Sequence, residues 1–310
     1  MTDQRFFVVR SPRDVVHISG PEVVDYLQGQ ISQEVEALET GESRLSFALE
    51  PRGRVESLFR LTRLAADIFL ADTEPGFGKG LRQSLERFKL GTKAEFETAA
   101  WQMLAVRGDC DRALADGLAV DTLWPGSARA APDAPSAQLT AGFDVLAEAP
   151  ALSLPAPPAD AGRAAEILEW LRLLHGLPLI GREIQPGDIP NETGIVEAAA
   201  SFTKGCYRGQ ELVERIDSRA GGRRLLRRLR STAPLAVGDT LLDAAGTEVG
   251  TVLSAALRPA PAPGLPDPAL LDGAPPDAAA AGFATLRADA DVDEVSTAAS
   301  APGQIVVLAL

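Results

Sequence analysis

The chain has 310 residues, 43 Asp plus Glu against 30 Lys plus Arg, and a formal net charge of −13. At roughly 150 residues per domain this length suggests about two domains, and 45% hydrophobic residues supply an ordinary globular core. Two cysteines exclude a disulfide-rich scaffold and a four-cysteine zinc site; two histidines, His17 and His175, leave little for a histidine metal centre; the acidic balance argues against a general nucleic-acid binder.

The chain opens on Phe6-Phe7-Val8-Val9 closed by Arg10, too short an apolar run for a signal peptide. No stretch reaches the ~18 apolar residues of a membrane helix, so a cytoplasmic protein without a membrane partner is expected. Residues 6–20 read as a strand, and Ser19-Gly20-Pro21-Glu22 as a capping box for a helix burying Val23, Tyr26 and Leu27. Residues 44–50 and 54–64 read as strands joined by a turn at Pro51-Arg52-Gly53. The strand Ile68–Ala71 precedes a helix with Phe77, Leu81, Leu85 and Phe88 on one face, stopped by Gly91. Trp101–Val106 and Phe143–Ala147 read as strands, with loops over 109–140 between them.

Residues 149–160 form a Pro-rich connector. A helix follows over Ala161–His175, with Ile167, Leu168, Leu171 and Leu174 as its apolar stripe and Gly176 as its stop. Residues 177–203 are irregular, and a helix begins near Gln210, with Leu212, Val213 and Ile216 on its apolar side. After Gly221-Gly222 the pattern is all-β, over 223–232, 240–243, 247–257, 281–287 and 303–310. The insert 258–278 carries seven prolines and reads as a long loop. The expected architecture is α+β, with a body over 1–222 and a small β-barrel over 223–310.

The chemistry concentrates in Lys204-Gly205-Cys206-Tyr207-Arg208-Gly209-Gln210-Glu211. Cys206 stands just ahead of a helix start, flanked by Lys204 and Arg208, and all three influences favour a thiolate. Glu211 in the first turn opposes it, and a small buried thiol is the plain alternative. Only four lysines occur, and Lys204 is the one outside residues 79–93. Seven arginines (215, 219, 223, 224, 227, 228, 230) crowd a segment with one acid, Asp217. They read either as a solvated basic face or as forks for carboxylates. His175 at a helix end suits the last carbonyls. Asp188, Glu192 and Glu197 form a loose acidic set, and Trp101, Trp124 and Trp170 read as packing residues.

The eight-residue motif resembles the Lys-Gly-Cys-Tyr-x-Gly-Gln-Glu pattern of the folate-binding YgfZ family, relatives of the glycine-cleavage T-protein (aminomethyltransferase). The segments His17–Gly20 with Tyr26–Gln30, Pro51–Val55 and Arg172–Ile180 resemble the same family in the same order. The resemblance implies a T-protein-like body of two interlocked α+β lobes. It also implies tetrahydrofolate as ligand, and iron–sulfur client proteins or assembly factors as partners. Lys204, Gly205, Tyr207, Gly209, Gln210 and Glu211, with Arg172 and Glu192, then become candidate folate-binding residues, and Cys206 the functional thiol. Two departures disfavour aminomethyl transfer, which stays the alternative. Lys79 or Gly80 falls where the T-protein has a working acid, unless Asp72 or Glu74 supplies it, and Leu174 falls where the T-protein has a pterin-contacting Glu. A thiol enzyme using Cys206 without folate is the third reading.

Overall fold

The computed structural model describes residues 6–122, 142–153, 161–214, 224–262, 265, 277–291, 295–298, 300 and 304–308. Trp124, the core of the Pro-rich connector, the arginines at 215, 219 and 223, Gly221-Gly222 and most of the insert 258–278 lie outside them.

Strands β1 (Phe6–Ser19), β2 (Ser43–Leu49), β3 (Val55–Ala65), β4 (Ile68–Thr73), β5 (Glu95–Gly108), β6 (Ala115–Asp121) and β7 (Gly142–Leu152) form a seven-stranded sheet in the order β2-β3-β4-β1-β5-β7-β6. All its pairings are antiparallel. Strand β6 falls where loops were expected. It is an edge strand in which Val120 alone is fully buried, so its sequence carries almost no strand periodicity.

Helices α1 (Val23–Gln30) and α2 (Gly78–Glu86) cover one face of this sheet. Val16, Ile18, Leu27, Phe59, Phe69, Leu81 and Leu85 make up the core between them. The capping box does not form. Ser19 pairs with Ile68 as the last residue of β1, and the Glu22 carboxylate instead accepts from the Lys93 amide at 2.9 Å. Phe77 and Phe88 lie outside α2, and Phe88 is exposed.

Helix α3 (Ala161–His175) packs on the other face. Ile167, Trp170, Leu171 and Leu174 are buried against Phe7, Phe47 and Leu58, and Gly176, at φ +78°, ends the helix. Leu168 is only partly buried, because it turns toward a cavity. Two short helices follow, α4 (Val196–Ala199) and α5 (Gln210–Glu214). Ile216, expected on the apolar side of α5, lies outside the described residues.

Strands β8 (Arg224–Ser231), β9 (Thr240–Leu242), β10 (Glu248–Leu257), β11 (Ala280–Arg287) and β12 (Ile305–Leu308) form an antiparallel five-stranded sheet in the order β12-β8-β11-β10-β9. Among the described residues no pairing joins its two edges, so the expected barrel is an open sheet here. One side carries its own core of Leu229, Leu241, Val252 and Leu286. The other sends Leu226 and Phe283 into the core around α3.

Candidate functional site

The motif loop is built by close backbone packing. Gly209 (φ +80°) lies against the Pro51–Gly53 turn: a Cβ on it would sit 2.6 Å from the Glu50 carbonyl oxygen. A Cβ on Gly53 (φ +86°) would sit 2.4 Å from the Leu212 Cβ. Both positions therefore require glycine, for conformation and for space. Gly205 is different, facing open space.

The side chains of this loop tie it down. Lys204 Nζ donates to the Ile31 and Gln33 carbonyls at 3.1 and 2.7 Å and lies 5.3 Å from the Tyr207 ring centre. Burial pushes its pKa down to about 8, against the upward pull of Glu34 and Glu36. Tyr207 is buried among Trp170, Leu171 and Leu174, and burial lifts its phenol to about 12. The Gln210 Oε1 accepts from the Tyr207 amide at 3.3 Å. Arg208 donates to the Ser84 carbonyl at 2.8 Å and reaches Glu56 at 3.4 Å. Glu211 is exposed on α5.

Cys206 is an exposed free thiol. It opens on a shallow cleft of about 330 Å³ lined by Gly29, Gln30, Pro51, Phe88, Tyr207 and Arg208.

A second cavity, of about 290 Å³, lies elsewhere, between α3, the 177–180 loop and the seven-stranded sheet. Leu45, Leu58, Phe59, Leu168 and Ile180 give it apolar walls. Arg13, Arg60, Glu74, Arg107, Asp144, Glu169 and Arg172 add charge. No residue lines both spaces. Of the sequence-predicted site residues, Arg172 alone lines this cavity, and Glu192, in the turn Pro190–Glu192, lines neither.

The charges of the cavity form two clusters, one on the sheet and one beside α3. Arg60 donates to Asp72 at 2.8 and 3.1 Å and to Asp144 at 2.7 Å; Arg107 meets Asp144 at 2.8 Å. Arg13 donates to Asp72 at 2.8 Å and to Glu74. Burial alone would raise the Asp72 carboxyl, but the Arg60 and Arg13 guanidiniums outweigh it and hold it low. Asp144 is held low by Arg107 and Arg60 in the same way. At the helix side, Arg172 donates to both Glu169 and Glu183, and Leu177 offers it a carbonyl at 2.7 Å. Burial would raise Glu169, yet Arg172 and Arg182 bring it to about 2. Ser254 of β10 also donates to Glu183, so this cluster bonds α3 to the five-stranded sheet.

Apart from Arg172, sequence reasoning missed these residues, although Arg60 and Asp72 are charged residues within apolar strands, as in Ser57-Leu58-Phe59-Arg60-Leu61 and Phe69-Leu70-Ala71-Asp72. Lys79 and Gly80 are exposed on α2 and line neither space. Leu174 is a core residue, and the acid that α3 turns to the cavity is Glu169. Arg224, Arg227, Arg228 and Arg230 on β8 line neither space; Arg228 donates to the Leu174 carbonyl at 2.6 Å. His175 is held down to about 4 by burial and by Arg228. No helix among the described residues is long and apolar enough to cross a membrane.

No protein-family model matches the chain. It is 29% identical over 269 residues to the tRNA-modifying protein YgfZ of Serratia proteamaculans, covering 78% of this chain and 77% of that protein. It is 29% identical over 241 residues to the protein of the same name from Edwardsiella ictaluri, covering 70% and 69%. An uncharacterized Haemophilus influenzae protein is 23% identical over 257 residues, covering 80% and 84%. The fold is similar to that of the glycine cleavage system aminomethyltransferase T from Bartonella henselae, with a TM-score of 0.67, 18% identity, and 99% and 86% of the two chains covered.

Proposed function

The chain belongs to the YgfZ family on a T-protein-like fold, and on that premise we propose that it is a tetrahydrofolate-binding accessory protein supporting iron–sulfur cluster assembly or repair. The relatives named for tRNA modification favour clients in that process. The observation that carries the folate reading is the cavity between α3 and the seven-stranded sheet. Its apolar walls suit a flat bicyclic ring, and Glu74 and Glu169 bring carboxylates to a ring rich in N–H donors.

The residues of this chain divide the work. The cavity holds and shields the ligand. The motif loop, locked by Gly53 and Gly209 and tethered by Lys204, holds the Cys206 thiol at the surface. There it is accessible to a partner protein, as a transient contact with an iron–sulfur client or assembly factor requires. Gly205, Gln210 and Glu211 contribute to that surface, and Tyr207 anchors the loop in the core. The protein acts in the cytoplasm, with a body over 1–222 and a β-rich unit over 223–310.

Thermal-shift and calorimetric titration with tetrahydrofolate tests the reading; absence of heat and of stabilisation at millimolar ligand removes it. The aminomethyltransferase alternative has one observation in its favour: Glu74, within the stretch 72–80, faces the cavity. Incubation with tetrahydrofolate and an aminomethyl-loaded lipoyl protein separates the two readings, since transfer releases methylene-tetrahydrofolate and the accessory role does not.

A further inference from the structure

The chain carries a net charge of −13, yet the rim of the cleft at Cys206 is cationic. Among the described residues no acid lines the cleft, and Arg208 does. Arg208 and Arg87 share one carboxylate, Glu56, at 3.4 and 2.6 Å, so a positive charge is left over beside it. Lys89 follows the lining residue Phe88, and the exposed Arg52 follows the lining residue Pro51. Glu50, ahead of Pro51, offsets one of these cations, and Glu86 is paired with Arg82.

The same place gathers apolar surface. Six large hydrophobic side chains are exposed among the described residues, and three of them flank this thiol. Phe88, 44% exposed, lines the cleft, and Leu90, 93% exposed, stands two residues on. Phe202, 52% exposed, stands four residues before Cys206. Backbone bonds from the Ser201 amide to Ser32 and from the Arg208 amide to Gly29 lay this loop along the end of α1. The Arg208 guanidinium lies 5.3 Å from the Phe88 ring centre and holds the ring at the cleft. Single exposed apolar side chains are ordinary, but a cluster rimmed by charge marks an interaction surface. Two buried atoms of lining residues, Gln30 Oε1 and Arg208 Nε, have no hydrogen-bond partner among the described residues. An acceptor and a donor left open on one cleft match the N–H and C=O of an extended peptide.

We propose that the cleft between Phe88 and Cys206, with Leu90 and Phe202 beside it, is the docking surface for an extended segment of a partner protein whose apolar side chains alternate with acids. Phe88 and Phe202 take the apolar side chains, and Arg52, Lys89 and the surplus guanidinium of the Arg87–Arg208 pair draw the acids. Arg208 is the positioning residue, since it bonds the Ser84 carbonyl, meets Glu56 and carries the Phe88 ring. The inference deepens the partner half of the proposed function and rests on Cys206 being its contact point; the ligand cavity plays no part in it.

The test reads docking through the thiol, in full-length Cys110→Ser protein so that Cys206 is the one cysteine. The probes are peptides of about ten residues, each with one cysteine as its mixed disulfide with thionitrobenzoate: one apolar and acidic, one apolar and basic, one acidic without apolar side chains. The Cys206 thiolate attacks the peptide sulfur; the Cys206–peptide S–S bond forms as the bond to thionitrobenzoate breaks, and the coloured thiolate leaves. The apolar acidic peptide is expected to react at least about tenfold faster than either other peptide, and to lose most of its lead over the basic one at about 0.5 M salt. Phe88→Ala is expected to slow it by about 3- to 10-fold while leaving the rate with dithiodipyridine, a small neutral disulfide, unchanged. Equal rates for the acidic and basic peptides, or an unchanged rate in Phe88→Ala, overturn this proposal and leave Cys206 as a contact point of other chemistry. Protection of the thiol by a single-stranded oligoribonucleotide but not by the acidic peptide, or by self-association of the protein, overturns it in favour of RNA or of a second copy. Reaction with dithiodipyridine and with no peptide removes the contact role of Cys206 as well.

Discussion

Arg60 and Asp72 are register partners across β3 and β4, joined by two guanidinium-to-carboxylate bonds of 2.8 and 3.1 Å, with side chains 7% and 0% exposed. The same guanidinium holds Asp144 across the sheet. Removing the cation takes from Asp72 its strongest partner and from Asp144 one of two, leaving them with Arg13 and Arg107 respectively. Arg60→Met is expected to cost about 3–5 kcal/mol in urea unfolding at pH 7. A cost below about 1 kcal/mol would show that water, not Arg60, compensates these acids.

Acid should destabilise the fold in two separable windows. His175 has its pKa lowered to about 4, so the folded state keeps it neutral. Its contribution is complete above the ordinary histidine value of ~6.5 and is lost as pH falls through 4. Glu169, also lowered, contributes fully above the ordinary glutamate value and loses that contribution as pH falls toward about 2. Stability measured from pH 7 to pH 3 should therefore fall first through the histidine window. His175→Asn should flatten that first fall only, and Glu169→Gln the second only.

Lys204 predicts that stability goes on rising with pH at the alkaline end. Its pKa is lowered to about 8, so the unfolded chain holds the proton more tightly. Stability should rise between pH 8 and the ordinary lysine value of ~10.4 on this account. Tyr207, lifted to about 12, works against the rise only above the ordinary tyrosine value. Comparing wild type with Lys204→Met at pH 8 and pH 9.5 checks the sign: the rise should be smaller in the variant.

The two facing glycines make a steric prediction. Gly53→Ala and Gly209→Ala each place a methyl group at positive φ into backbone or side-chain atoms closer than 3 Å. Each should lower stability by about 1–3 kcal/mol. Gly205→Ala, which meets open space, should be near neutral. Thermal melts of the three variants decide it. Equal effects at 205 and 209 would mean that the loop packs differently.

Much of this was readable in the chain itself. The strands pairing through Phe59, Phe69 and Phe283 announce themselves by apolar runs, and α3 by its stripe and terminal Gly176. The motif around Cys206 was legible as a special segment. Its packing against Gly53 was not, because that contact joins positions about 150 residues apart and depends on backbone angles. The ion network was hidden for the same reason: Arg60 meets Asp144 across 84 residues, and periodicity says nothing of partners. Leu168 followed the helical pattern yet faces a cavity, since a stripe cannot tell a core from a pocket. The capping box failed because Ser19 has a stronger commitment, its place in β1.

The most direct measurement is tetrahydrofolate titration by calorimetry into wild type, Ala165→Trp and Cys206→Ser. Ala165 lines the cavity, and tryptophan there fills it; Cys206 lies on the other cleft. The account predicts binding to wild type and Cys206→Ser with similar affinity, and at least tenfold weaker binding to folded Ala165→Trp. Unchanged binding to Ala165→Trp, or binding lost with Cys206→Ser alone, would contradict it.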